Sequence, residues 1–238
     1  MKAELAKVRH LPLPRWTAAL VAAATVIVGI VLYAIENTDP HEYVSVPNAA
    51  VGAVALFGAV VFGVWLATLE FASGTMQRTL TAEPNRSRVL AGKLVVVLVA
   101  TAVAGVLAAA AASGLSNLAA DHAGVTIDRG ELAGQMFGAV PAWTAAAAVG
   151  FGFGLIARSF GGGIAAALVF VLAFDGLVSF IPGLEHLTFG ALTNDMTNSI
   201  GGLGDTHYGL GVALLGTIVW CLIIVVPGWI RFQHSDLK

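Results

Sequence analysis

The chain has 238 residues, 58% hydrophobic and 11% charged, with a mean hydropathy of +0.86. Soluble domains carry about 25% charged residues, so a disordered chain, a basic nucleic-acid-binding protein and an ordinary soluble enzyme are all excluded. The lone cysteine, Cys221, excludes a disulfide framework within the chain and a multi-cysteine metal site. What remains is a polytopic membrane protein, and long apolar segments make it all-α, since a helix satisfies every backbone polar group within the lipid.

Crossing a hydrocarbon core of about 30 Å takes about 20 apolar residues. Six segments qualify in chain order, at about 16–35, 51–69, 94–118, 137–157, 162–181 and 208–230. They form a single six-helix transmembrane domain over residues 1–238. The first is preceded by Lys2, Lys7, Arg9 and Arg15, which suits a signal peptide, but its apolar stretch is too long for one and no clean cleavage site follows. It is expected to be a retained helix.

An N-terminus in the cytoplasm and six spans place both termini inside. On that arrangement the inner segments hold Lys2, Lys7, Arg9, Arg15, Arg78, Arg86, Arg88, Lys93, Arg158, Arg231 and Lys238, leaving only Arg129 of the 12 basic residues outside. The outer loops hold Glu36, Asp39, Glu42, Asp121, Asp128, Glu131, Glu185, Asp195 and Asp205. Cytoplasmic loops of membrane proteins carry the excess of Lys and Arg, so the charges agree with the arrangement.

The inner segment 70–93 is long, polar and patterned. Gly74 can end a helix continuing from the second span, and Thr75 can cap a short helix through Ala82. Pro84 stops that helix, and a new start near Asn85 or Ser87 leads into the third span. A solvated basic loop that only sets topology is one reading of its composition. The order of Glu70, Gly74-Thr75, Thr79-Leu80, Pro84, Arg86, Leu90 and Lys93 resembles the type-2 ATP-binding-cassette (ABC) exporter permease family.

In that family the segment is a coupling helix seated in a groove of a separate cytoplasmic ATPase. The resemblance implies that Glu70, Gly74, Thr75, Arg78, Thr79, Leu80, Pro84, Arg86 and Arg88 form an ATPase-coupling element. It also implies a second copy of the chain or a related permease as partner, a bacterial plasma membrane as location, and re-entrant helices between the last two spans. Larger relatives carry a longer amphipathic helix before the first span than residues 1–14 allow. No phosphate loop is present, since Lys93 alone follows a glycine and Leu94 comes next. No cofactor is therefore expected in this chain, and Mg-ATP would bind the partner.

Other chemistries fit less well. Intramembrane serine proteolysis needs Gly-x-Ser-Gly and a histidine within a span. Ala111-Ala112-Ser113-Gly114 lacks the first glycine, and no histidine falls in a predicted span. The glutamate-rich motif of CAAX-type membrane proteases is absent too. His41, His122, His186 and His207 share the outer face, but no two have a metal-ligand spacing.

Asp175 is the one acid well inside a predicted span, where a charge costs about 2.5–3.5 kcal/mol at the helix centre. Two readings stand: a cargo or interhelical contact, or a fifth helix that ends early near Gly176. In the outer segment 182–207, Leu184, Leu187, Phe189, Leu192, Met196 and Ile200 recur at helical spacing and predict short amphipathic helices. Phe57, Phe62, Trp65, Phe151, Phe153 and Phe170 are expected to supply an apolar lining for a lipophilic drug, peptide or lipid. The alternatives to an exporter are a membrane scaffold or immunity protein without transport, and an ion-coupled secondary carrier using Asp175.

Overall fold

The computed structural model describes residues 12–35, 39–72, 74, 85–178, 180–204 and 206–234. They form an all-helical bundle with six helices long and apolar enough to cross a membrane. These are α1 (Pro12–Ile35), α2 (Glu42–Ala72), α3 (Arg86–His122), α4 (Arg129–Ala157), α5 (Phe160–Val178) and α7 (Leu210–Gln233). A shorter helix, α6 (Phe189–Gly201), lies between the last two. The chain is a multi-pass membrane protein. Its bundle has a basic end, with Arg15, Arg86, Arg158 and Arg231, and an opposite, acidic end with Asp121, Asp128, Glu185 and Asp195.

Several helices run past the apolar stretches that announce them. α2 starts at Glu42 rather than near 51, because Tyr43 and Val44 are buried and extend the packed face outward. Pro47 lies inside this extension and has no N–H to offer the carbonyl four residues back. That carbonyl belongs to Tyr43, and it accepts instead from the Ser116 hydroxyl of α3. α3 starts at the expected new helical start: the Asn85 side chain accepts from the Arg88 N–H at 3.1 Å and caps it. Its 37 residues span about 55 Å at 1.5 Å per residue, well beyond a bilayer core.

α4 is the spine. It buries 67% of its apolar stretch, against 17% for α1. Glycines allow this closeness. A Cβ at Gly63 of α2 would lie 2.0 Å from the Ala147 carbonyl oxygen, and one at Gly150 would lie 2.4 Å from that of Val60. The two helices therefore touch backbone to backbone, as small residues permit where lipid supplies no hydrophobic drive.

α5 is irregular. It turns π-helical over Phe170–Phe174, next to an aromatic cluster in which Phe170 meets Phe153, Phe174, Phe189 and Trp220 at 5.0–5.7 Å. Asp175 opens the final turn, Asp175–Val178, so the helix ends before the expected 181. The amphipathic helix expected in 182–207 is α6, capped by Thr188 and closed by Gly202 at φ +70°. Phe189, Leu192 and Met196 are its buried stripe. It presses on Gly138 of α4 and Gly216 of α7, about 9 Å or more along each of those helices from its acidic end.

Candidate docking site at the basic end of the bundle

The segment singled out by its sequence connects α2 to α3 at the basic end. Thr75, Arg78, Thr79, Leu80 and Pro84 lie outside the described residues. Glu70, Gly74, Arg86 and Arg88 are described, and they mark the two roots of the segment.

Glu70 sits in the last turn of α2 with 2% of its side chain exposed. Its carboxylate lies 3.4 Å from the Lys93 ammonium of α3, which is wholly buried and also donates to the Leu66 carbonyl at 3.2 Å. Buried charges require partners of this kind. The pair staples the end of α2 to the start of α3, and Leu90, fully buried one turn earlier, fills the space beside it. Gly74 follows α2 at φ +63°, where a side chain would be strained, and nothing lies within 4 Å of a Cβ built there. A side chain at Gly74 would therefore meet open space, whereas Phe71, whose carbonyl accepts from the Gly74 N–H, packs on Phe232.

Arg86 anchors the other root. Its Nη1 donates to the Phe232 and Gln233 carbonyl oxygens at 3.1 and 3.0 Å, at the C-terminal end of α7. A guanidinium there meets the negative end of the helix dipole. Its carbon lies 6.0 Å from the Phe232 ring centroid, and the neighbouring Ser87 bonds to Gln233. Arg88 is exposed on the first turn of α3, its N–H held by Asn85.

The connection between α4 and α5 closes the cluster. Arg158 takes the left-handed conformation at φ 54° and donates through Nη2 to the Arg231 carbonyl at 3.1 Å. Arg231 reciprocates through Nη1 to the Ile156 carbonyl at 2.7 Å. Arg158 also lies 5.9 Å from the centroid of the Phe71 ring, which meets Phe232 edge-on at 5.9 Å. Partial burial, and then the charge of Arg231, hold the Arg158 pKa below its ordinary value. The roots of the 70–93 segment are thus joined to the ends of α4 and α7 through four side chains that sequence reasoning did not connect: Lys93, Arg158, Arg231 and Phe232. An acid and a lysine at matching depth on consecutive spans was the one available signal.

The other candidates lie elsewhere. The Asp175 backbone directly follows the π-helical stretch, far from this cluster, and its side chain lies outside the described residues. His122 stacks on Tyr33 at 3.9 Å and His186 on His207 at 3.7 Å. Among the described residues, no group of three or more His, Cys, Asp or Glu is placed to hold a metal ion. The six aromatic side chains do not form the common lining expected of them. Phe151 is wholly buried in the core, and Phe153 and Phe170 belong to the α5 cluster. Phe62 is the only one to line the large cavity between α1, α2 and α3.

No model of a known protein family matches the chain, and no curated protein sequence matches it.

Proposed function

We propose that the chain is the transmembrane permease subunit of an ABC exporter, with its basic end and both termini in the cytoplasm of a bacterial cell. Its partners would be cytoplasmic ABC ATPase subunits and a second copy of itself or a related permease. Mg-ATP would be bound and hydrolysed in the partner, and the cargo would be a lipophilic drug, peptide or lipid. The reading rests on the 70–93 segment and, above all, on how its roots are held. The Glu70–Lys93 pair ties α2 to α3, and Arg86 ties the start of α3 to the end of α7. A load applied to the segment therefore reaches three spanning helices through charge-assisted contacts. A loop that only set topology would need no such anchorage.

Co-purification tests the proposal. The detergent-solubilised chain should bring down an ATPase with a phosphate loop, and scrambling residues 74–88 should abolish both the association and ATP-dependent export. Association and export that survive the scramble would return the chain to the scaffold class. Transport that persists without ATP and is lost in Asp175→Asn would instead make it an ion-coupled carrier.

A further inference from the structure

We propose that the stacked pair His186 and His207 is a proton-operated latch, which holds the turn after α5 against the start of α7 and releases it when both rings are charged. The device follows from the fold alone and does not depend on the export reading.

The turn is built from single bonded turns of backbone. The Ile181 N–H donates to the Val178 carbonyl, Leu184 to Ile181 and Leu187 to Leu184, each three residues back. Gly183 takes the left-handed conformation at φ +86°. The turn meets α7 at two places. The Leu187 carbonyl accepts from the Trp220 indole N–H at 2.9 Å. The His186 ring lies flat on the His207 ring, with centroids 3.7 Å apart and planes inclined by 16°.

The two rings are held unequally. The His207 and Tyr208 N–H groups donate to the Asp195 carboxylate of α6 at 3.1 and 2.8 Å, and Asp195 is buried. The Tyr208 ring also meets the His207 ring edge-on at 4.7 Å. His207 is thus fixed through its backbone and braced by a neighbouring ring. His186 instead rides on the turn, with 45% of its side chain exposed. If the rings part, the turn moves.

Among the described residues, the titratable groups that face this pair are Glu185, Tyr208 and, through the His207 N–H, Asp195. One Glu185 oxygen lies 3.9 Å from His186 Nε2, and the other accepts from the Gly183 N–H at 2.7 Å. The carboxylate is therefore kept beside the stack, where it can balance one proton. It cannot balance two. Neutral rings attract one another when stacked, whereas two imidazolium rings face to face repel, and exposed rings are readily solvated once apart. Histidine changes charge between about pH 5 and 8. The latch is closed at neutral pH and opens as pH falls, with Leu187 on Trp220 as its hinge. Release loosens the link between the end of α5 and the start of α7.

The molecule carries its own control. His122 stacks on Tyr33 at 3.9 Å, and there a single imidazolium faces a phenol ring, which is a favourable cation–π contact. Acid should leave that stack closed.

The test is hydrogen exchange of the full chain in nanodiscs with EDTA present, so that no metal ion bridges the rings. It is read at about pH 7.5 and about pH 5 and corrected for the intrinsic pH dependence of amide exchange. Residues 181–186 should exchange several-fold faster at the lower pH, while the segments around Tyr33 and His122 should not. His186→Phe and His207→Phe each keep a flat ring in the stack but take no proton, so each should remove the step. Both positions are exposed, and neither substitution disturbs the buried core. Exchange at 181–186 that is the same at both pH values would overturn the proposal. So would an equal rise around Tyr33 and His122, which would mean general softening in acid, or a step that persists in both phenylalanine variants.

Discussion

At the basic end of the bundle, charged side chains join residues far apart in the chain: Lys93 reaches Leu66, Arg158 reaches Arg231, and Arg86 reaches Gln233 across 147 positions. At the acidic end the charged groups bond locally. Asp121 meets Arg129 eight positions on, Asp128 caps its own helix, and Asp195 accepts from the His207 and Tyr208 N–H groups. The basic end is cross-tied between helices, whereas acids at the other end mostly finish individual helices and loops. A force entering at the basic end is shared among α2, α3, α4 and α7. At the acidic end the helices are tied instead by uncharged contacts, the Ser116 hydroxyl on the Tyr43 carbonyl and His122 stacked on Tyr33.

The sharpest way to break this contrast is Lys93→Met, which leaves the Glu70 carboxylate buried without its ammonium. Unfolding in detergent should then be easier by about 3–5 kcal/mol. Replacing both residues in Glu70→Met/Lys93→Met should recover most of that loss, since a well-packed apolar pair commonly equals a buried ion pair. A double variant as unstable as the single one would mean that the charges are not acting as a pair.

At the acidic end, Asp195→Ala should cost about 1–3 kcal/mol, because two N–H groups at the start of α7 lose their acceptor. Hydrogen exchange should accelerate around residues 206–210 and stay unchanged at the basic end. Next in size is Arg86→Lys. It keeps the charge but loses the planar fork that spans two carbonyls, for about 1 kcal/mol by thermal melting. In the proposed exporter it should also lower ATP-dependent transport while ATPase association persists.

Arg129→Ala removes an ion pair whose side chains are 65% and 57% exposed, so the change in melting should stay below about 1 kcal/mol. Smallest of all is the response of the 182–207 segment to strongly acidic pH. Backbone N–H groups of Glu185 and Gly183 hold the Glu185 carboxyl below its ordinary value of 4.5, opposed by desolvation and helped to a lesser degree by His186 and His207. A depressed carboxyl pKa contributes stability that is complete above 4.5 and is lost as pH falls through the lower, folded-state value. Trp220 reports on this segment because its indole N–H donates to the Leu187 carbonyl at 2.9 Å. Its fluorescence should change in that acidic window, and Glu185→Gln should flatten the response.

Much of this architecture can be read from residue order. The six spans follow from apolar length, the basic end from the placement of Lys and Arg, and α6 from the spacing of Leu192, Met196 and Ile200. The start of α3 follows from Asn85 after Pro84. Span ends were less legible, because Tyr43 and Leu90 extend helices by tertiary burial that a hydropathy average cannot register. The Glu70–Lys93 contact needs the relative depth of two spans, and that depth is set by packing between helices. The cavity between α1, α2 and α3 was the least visible feature. It depends on which faces of α1, α2 and α3 meet, and a space left by alanines resembles, in sequence, the close packing that alanines usually make. The assignment of Phe151 and Phe153 to a lining failed for the same reason.

The glycine contact between α2 and α4 also limits how this bundle can move. With Gly63 against the Ala147 carbonyl and Gly150 against that of Val60, sliding α2 lengthwise toward the next turn would bring the side chain of Val60 or Ala67, on the same face as Gly63, against the neighbouring backbone. Translation along the axis is sterically locked, while tilting about the contact keeps both glycines in place. A push on the loop beyond Glu70 would therefore emerge at the Tyr43 end as a swing in the opposite direction, with α2 acting as a seesaw and the glycine contact as its fulcrum.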